Sequence, residues 1–366
     1  MSINTTISED MIRSRLSRLY RSYGYLPYKV NKFEEYDLYA QYKNFLACKQ
    51  ILTFSDTDGR LMALKPDVTL SVIKSASDRC PVHKVFYNEN VYRVPEDGDG
   101  FSEIPQTGLE CIGEIGLYES AEVIMLAAKS LESIGPSYVL NLSHIGVVSG
   151  ILNQAGIHQE DQSEFFAVLG AKNGPALTDL CRRFDMGPQA VSNLTALTEL
   201  YGPTEDVLSQ LSELSLPEES RRAVEELKEL DVLLKAFGPA RIHLDFSVVD
   251  DIEYYNGIVF AGFIEGLSSS VLSGGKYDRL VSRMNRSGGA VGFAVYFNTL
   301  ESLWSTEKEY DFDIVLVCPS ESDLPFAIRE ASRCIEAGET VRVQRSEPKG
   351  FTFRTKYYVR NGAVES

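Results

Sequence analysis

The sequence lacks the features that would place it in a membrane or on a secretory route. It has no apolar run near the roughly 20 residues that a membrane-spanning helix requires. Its opening residues, MSINTTISEDMIRSRL, carry charges but no apolar segment of the kind found in a secretory signal. We therefore expect a cytoplasmic protein with no membrane partner.

Cysteine and histidine are scarce, with six and four residues respectively. The cysteines form no Cys-x-x-Cys pair, and no histidine lies near them at the spacing of metal ligands. The histidines share no ligand spacing with one another, so we assign a role to none of them. We expect reduced cysteines, no bound metal and no cofactor.

Basic residues are outnumbered, with 36 Lys plus Arg against 52 Asp plus Glu and a formal net charge of -16. No block rich in Lys and Arg occurs anywhere in the chain. Binding to a nucleic-acid backbone depends on clustered cations that neutralise phosphates. This composition therefore disfavours extensive binding of tRNA.

The chain does contain short strands joined by turns, with helices between groups of strands. An Asp-Gly turn at Asp58 and Gly59 predicts a hairpin, followed by a helix from about Pro66. The segment KVFYNENVYRV, the polar loop PEDGDG and the run from Gln106 to Glu114 predict a second hairpin. Strands connected in this way favour an antiparallel sheet flanked by helices, which is an α+β fold.

The remaining pattern predicts how the chain is divided. Residues from about 147 to 235 have an almost wholly helical period, which predicts a helical insertion between strands. From residue 310 the pattern gives a strand, a helix, a strand and a polar tail. We predict one domain over residues 1–309, with the insertion at about 147–235, and a small truncated α/β segment over 310–366.

Five segments of the chain read, in order, MALKPDVTLSVIK, YRVPEDGDGFSEIPQTGLECIG, DDIEYYNGIVF, SGGKYDRL and AVGFAVYFNTL. They resemble, in the same order, five motifs of the catalytic domain of histidyl-tRNA synthetase. These are the family's R-P-E-G-T stretch, class II motif 2, the R-G-L-D-Y-Y-x-G signature, G-G-R-Y-D-G-L and motif 3. The resemblance covers roughly residues 8 to 305 and implies a class II aminoacyl-tRNA synthetase fold.

The chain departs from the family at the positions that serve ATP. The Glu-Arg pair that ends motif 3 is Asn298 and Thr299, and the arginine of the R-G-L-D-Y-Y signature is Asp250. The arginine of the motif 2 loop falls near Ser102. Guanidinium groups steady the charge that forms on the phosphate, and losing one such donor costs about 3–4 kcal/mol. The resemblance therefore implies that aminoacylation is lost and that no residue is catalytic.

The positions that bind the amino acid in the family are retained. By resemblance, one group would hold the amino and carboxylate ends of free histidine, and three tyrosines would hold its side chain. The two groups are Asp67, Thr69, Arg93, Gln106 and Glu110, and then Tyr254, Tyr255 and Tyr277. Asp67 is one methylene shorter than the family's glutamate. We expect Tyr254 and Tyr255 to alternate on a strand, so that at most one of them can face the pocket.

A retained pocket beside a lost reaction resembles the branch of this family that regulates ATP phosphoribosyltransferase, the enzyme of the first step of L-histidine biosynthesis. The resemblance implies a non-catalytic regulatory subunit that allows feedback regulation by histidine. It also implies a short-form catalytic subunit as partner, histidine as effector, and a self-dimer within a hetero-oligomer.

Other interpretations of the same residues remain open. Asp67, Thr69 and Arg93 could form a buried hydrogen-bonded network with a purely structural role. The chain could also be a divergent histidyl-tRNA synthetase, or an orphan amino-acid-binding paralogue with another partner. Gly274 and Gly275 are expected to allow a close backbone approach rather than to cradle phosphate, because no helix begins at the required spacing.

Overall fold

A computed structural model describes residues 9–46, 50–76, 81–94, 100–249, 254–303 and 310–365. The chain forms two compact units, a large one over Glu9–Ser302 and a small one that contains Leu303–Ser366. None of the described helices combines the length and the apolar character needed to cross a bilayer.

The large unit contains twelve strands and eleven α-helices among its described residues. The strands are β1 (Leu26–Pro27), β2 (Phe33–Glu35), β3 (Thr53–Ser55), β4 (Leu61–Leu64), β5 (Val82–Arg93), β6 (Ser102–Gly113), β7 (Tyr138–His144), β8 (Tyr201–Pro203), β9 (Ile242–Asp245), β10 (Ile258–Ile264), β11 (Leu272–Lys276) and β12 (Gly289–Tyr296). The helices are α1 (Glu9–Ser22), α2 (Tyr36–Gln41), α3 (Thr69–Ser75), α4 (Leu117–Ile134), α5 (Ile145–Gln154), α6 (Gln159–Gly170), α7 (Gly174–Arg183), α8 (Pro188–Glu199), α9 (Thr204–Glu213), α10 (Glu218–Phe237) and α11 (Asp278–Arg283).

Nine of these strands form one sheet in the order β1-β5-β6-β12-β11-β10-β7-β9-β8. Pairing is antiparallel from β5 across to β7, and parallel only for β1 with β5 and for β7 with β9. Helix α4 packs on β7, β10 and β12 and buries most of its length. The predicted α+β fold with an antiparallel sheet flanked by helices is confirmed.

Both predicted hairpins are present, but helix α3 and strand β6 begin at other residues than predicted. Strands β3 and β4 pair across the Asp58 and Gly59 turn, where Gly59 has a φ of 84° that favours glycine. Helix α3 begins at Thr69 rather than near Pro66, and in its first turn the backbone N–H of Leu70 donates to the carboxylate of Asp67 at 3.0 Å. Strand β6 begins at Ser102, before the predicted Gln106, because its register with β5 extends to the end of that strand.

Helices α5 to α10 occupy most of the stretch between β7 and β9. The sequence pattern did not predict the strand β8, which lies between α8 and α9. Its three residues pair with β9 and extend the edge of the large sheet. The pattern missed β8 because three residues flanked by helices carry no alternation.

The small unit consists of β13 (Phe312–Val317), α12 (Leu324–Glu336), β14 (Val341–Gln344), β15 (Phe353–Arg360) and β16 (Ala363–Glu365). Its sheet has the order β14-β13-β15-β16, and β13 pairs in parallel with both neighbours. The predicted polar tail is wrong, because it forms β15 and β16. In β15 the polar residues Arg354, Lys356, Tyr358 and Arg360 alternate with Phe353, Thr355, Tyr357 and Val359. Val359 is buried in one cluster with Leu316 and Ala327.

Candidate functional site

The structure brings all eight predicted pocket residues around one cavity of about 210 Å³. They come from separate segments: the β4–α3 connection, the end of β5, strand β6, the residues before β10 and the end of β11. The lining residues are Phe45, Asp67, Thr69, Tyr87, Arg93, Gln106, Glu110, Tyr254, Tyr255, Ser273, Tyr277, Gly292, Phe293, Ala294 and Tyr296. The volume lies below the roughly 300 Å³ at which sites for drug-sized ligands begin, and therefore suits a ligand of amino-acid size.

Glu110 is the central acidic group of the cavity. Its carboxylate accepts hydrogen bonds from Thr69 Oγ1 at 2.6 Å and from the hydroxyl of Tyr277. Gly292 lies opposite it in the sheet, and a Cβ there would collide with the carboxylate. Burial raises the pKa of Glu110 to about 8, while its two hydrogen bonds lower the pKa and nearby Asp67 raises it. A cationic group in the cavity would favour the ionised carboxylate.

Asp67 and Arg93 form an ion pair in the lining of the cavity. Arg93 Nη2 lies 3.8 Å from Asp67 Oδ2, whereas Arg93 Nε donates to the carbonyl of Pro66 at 2.7 Å. Burial raises the pKa of Asp67, and the charge of Arg93 opposes that rise. The guanidinium is thus anchored through its Nε to the backbone, and its ion pair with Asp67 is long. This geometry leaves the guanidinium able to bind a ligand carboxylate.

Gln106 supplies a polar group that the protein leaves unsatisfied. Its side chain is buried, with 2% of its surface exposed, and its Nε2 has no hydrogen-bond partner within the described ranges. Such a donor costs free energy unless a ligand or water accepts from it. Nearby, Ser273 Oγ and the hydroxyl of Tyr296 lie 2.7 Å apart. The cavity therefore presents an amide donor that matches a ligand carboxylate or another acceptor.

Three tyrosines form the aromatic side of the cavity. The ring of Tyr254 lies 4.8 Å from that of Tyr255 and 5.4 Å from that of Tyr277, measured between centroids. The expectation that only one of Tyr254 and Tyr255 can face the pocket is wrong, since both line it. They precede β10, which begins at Ile258, and Gly257 turns the chain with a φ of 99°. Strand alternation therefore does not apply to them.

Gly274 and Gly275 allow a close approach, as predicted. A Cβ on Gly275 would lie 2.7 Å from a ring carbon of Tyr255, and one on Gly274 would collide with the carbonyl of Gly292. Neither glycine lines the cavity in the described structure. Both glycines thus allow neighbouring strands to pack closely, and Gly275 leaves space for the ring of Tyr255.

The positions that depart from the synthetase pattern have different surroundings. Asn298 and Thr299 begin a short 3₁₀ segment, Asn298–Leu303, directly after β12. The hydroxyl of Thr299 donates to the carbonyl of Tyr296 at 2.7 Å. Ser102 opens β6 opposite Arg93, and Asp250 lies outside the described residues. Neither Asn298 nor Thr299 presents a cation.

Five polar or aromatic residues of the lining were not predicted: Phe45, Tyr87, Ser273, Phe293 and Tyr296. Tyr296 lies within the quoted motif 3 segment, and Ser273 opens the SGGKYDRL segment, so their positions offered a signal. Tyr87 lies on β5 and reaches the cavity because Gly108, opposite it in β6, has no side chain. Phe45 belongs to no motif.

A family model described as histidyl-tRNA synthetase matches residues 5–300 of the chain. The ATP phosphoribosyltransferase regulatory subunit of Ruminiclostridium cellulolyticum is 27% identical over 345 residues, which cover 91% of this chain and 80% of that protein. A crystal structure of an ATP phosphoribosyltransferase regulatory subunit/histidyl-tRNA synthetase from Bacillus halodurans C superposes with a TM-score of 0.82 at 23% identity, covering 97% of this chain and 96% of that one.

A chain of the ATP phosphoribosyl transferase (HisG:HisZ) complex from Thermotoga maritima has the same fold, with a TM-score of 0.61 at 20% identity. It covers 79% of this chain and 98% of that one. These structures support the class II synthetase fold. Because the family model spans most of the sequence, the chain belongs to the histidyl-tRNA synthetase family.

Proposed function

We propose that this chain is a non-catalytic regulatory subunit of ATP phosphoribosyltransferase, acting in the cytoplasm in the first step of L-histidine biosynthesis. Its partner is a short-form catalytic subunit, and free histidine in the cavity is its effector. The working assembly is a hetero-oligomer that contains a dimer of this chain.

The observation that carries this proposal is the match between the cavity and an amino-acid zwitterion. Glu110 and Asp67 offer carboxylates for an ammonium group, while Arg93 and Gln106 offer donors for a carboxylate. The tyrosines supply an aromatic wall with hydroxyl groups, which suits an imidazole. In a purely structural network, the side chains would satisfy one another's hydrogen-bonding groups. Here Gln106 Nε2 has no partner within the described residues, and the Arg93–Asp67 ion pair is long.

The absence of cations at the motif 3 positions supports a non-catalytic role. Adenylation needs fixed positive charge beside the phosphate oxygens as the transition state forms. Asn298 and Thr299 cannot supply it, and the hydroxyl of Thr299 donates to the backbone carbonyl of Tyr296. The names of the relatives from Ruminiclostridium cellulolyticum and Bacillus halodurans C agree with this role, and the Thermotoga maritima complex gives the proposed partner its precedent.

Regulation follows from differential affinity. If the assembled enzyme exists in an active and an inactive state, histidine shifts the balance only by binding one state more tightly. The coupling is reciprocal, so catalytic subunits held in the inactive state raise the affinity of this chain for histidine. This gives feedback inhibition without any chemistry in this chain.

The test is to purify the chain together with a short-form catalytic subunit and to measure phosphoribosyl transfer with and without histidine. We expect the catalytic subunit alone to be slow, the complex to be faster, and histidine to inhibit the complex. If the two chains do not associate, the partner is wrong and an orphan paralogue becomes the better account. If they associate and histidine has no effect, the effector assignment is wrong.

A further inference from the structure

The cavity and a much larger groove share Phe45 as a lining residue. The groove has a volume of about 1420 Å³ and is lined by α5, α6 and α11 together with the start of α10. Among the described residues, Phe45 alone lines both the cavity and the groove. Its ring therefore stands where a longer ligand would have to pass from one space into the other.

Phe45 is held in place from several sides. It ends the 3₁₀ segment Lys43–Phe45, and only 8% of its surface is exposed. The guanidinium carbon of Arg283, on α11, lies 5.7 Å from the centre of its ring, within reach of a cation–π contact. A ring that is buried and stacked in this way forms a fixed wall rather than a freely moving side chain.

Phe45 is associated with the tyrosine side of the cavity through α11. Its ring contacts Arg283 of that helix, and Phe45 shares one buried cluster with Tyr254 and Tyr277. Helix α11 begins directly after Tyr277 and supplies Arg279, Ser282 and Arg283 to the groove. The groove therefore begins behind the aromatic end of the cavity.

We propose that Phe45 is the specificity-determining residue that limits the length of the ligand side chain. This inference rests on the proposed function, in which the tyrosine side receives the imidazole of histidine. With the phenyl ring present, the aromatic end is closed and the side chain can be no longer than the cavity. Without the ring, the cavity opens into the groove, and a side chain extended from the imidazole gains space.

The test compares two ligands by calorimetry on the full-length chain: histidine, and histidine with a benzyl group on the ring nitrogen distant from its β-carbon. We expect the wild-type chain to bind histidine and to bind the benzyl derivative at least about tenfold more weakly, the discrimination typical of a pocket that is too small. In Phe45→Ala, the ratio of the two affinities should shift toward the benzyl derivative by at least about tenfold.

Two variants serve as controls. Phe166→Ala truncates another buried phenylalanine that lines the groove but not the cavity, so the ratio should stay at the wild-type value. Phe45→Leu keeps a bulky apolar side chain and should shift the ratio less than Phe45→Ala. If Phe45→Ala does not fold, as judged by its thermal transition, Phe45→Val carries the same comparison.

The outcomes separate this inference from the proposed function. If the wild-type chain binds histidine but the ratio is unchanged in Phe45→Ala, or both ligands weaken equally, Phe45 is only a packing residue and the inference is wrong. An equal shift in Phe166→Ala would overturn it too. If the wild-type chain binds no histidine in isolation or with its partner, the proposed function itself fails.

Discussion

The residues of β12 that line the cavity and the segment that follows this strand are neighbours in the sequence. Their side chains nevertheless present different chemical groups to a ligand. Strand β12 lines the cavity from Gly292 to Tyr296, and Asn298 and Thr299 follow at once. In the cavity, polar groups face inward and one buried donor is unsatisfied. After the strand, Thr299 bonds to the backbone of its own turn. Under the proposed function, this difference corresponds to a retained amino-acid site beside a lost phosphate site.

The largest effect in this comparison should come from removing the central acid of the cavity. Glu110→Ala should weaken histidine binding at least about 30-fold, because truncating one member of a buried charged contact typically costs about 2–5 kcal/mol. Calorimetry measures the affinity. The control is Glu122→Gln, a change at another buried glutamate, which is bonded to Lys84 and Tyr118 outside the cavity. Equal losses in both variants would show that Glu110 acts through stability alone.

The second prediction concerns the positions that bind ATP in the synthetase family. Restoring the three family residues in Asp250→Arg, Asn298→Glu and Thr299→Arg should raise the affinity for ATP at least about tenfold, because guanidinium groups regain their contact with phosphate. Binding of ATP to the triple variant and to the wild-type chain measures the change. The control combines Asn298→Gln with Thr299→Gln, which adds side-chain length without charge, and its affinity for ATP should not rise.

Replacing Gln106 should weaken ligand binding without weakening the folded protein. Gln106→Leu removes the unsatisfied Nε2 donor. The free energy of unfolding should therefore stay constant or rise by at most about 1 kcal/mol. Histidine affinity should fall about tenfold, because the ligand loses a hydrogen-bond donor. Thermal unfolding and calorimetry on the same variant measure both. A fall in stability together with unchanged affinity would place Gln106 in the structural network instead.

The smallest expected effect is a dependence on pH. Because the pKa of Glu110 is raised to about 8, the empty cavity holds this carboxyl mostly protonated at pH 7. A ligand ammonium requires the ionised form, so binding releases a proton, and histidine affinity should rise several-fold between pH 7 and pH 8. Calorimetry in buffers of different ionisation enthalpy measures the proton release. The rise should vanish in Glu110→Gln, and a fall in affinity over this range would contradict the assignment.

The family resemblance located the lining of the cavity better than the sequence pattern located the outer parts of the fold, for physical reasons. Asp67, Arg93 and Glu110 belong to motifs that the resemblance assigns to one pocket, and all three line the cavity. Phe45 could not be predicted, because it reaches the cavity from a 3₁₀ segment through a tertiary contact that has no local pattern. The alternation rule failed at Tyr254 and Tyr255 because neither residue belongs to a strand.

In the small unit, charged residues hid the alternation that forms β15. Arg354 and Lys356 alternate with residues of the buried side, and their charges made the segment resemble a tail. Pairing with the central strand β13 decided the outcome. A nonlocal pairing of this kind cannot be read from composition.

The most direct test of the account is histidine-dependent exchange of pyrophosphate into ATP by the purified chain, at histidine concentrations that calorimetry shows to be saturating. We predict binding of histidine with no exchange above the background without protein. Robust exchange that depends on histidine would show that the chain still adenylates the amino acid, and it would identify a divergent synthetase instead.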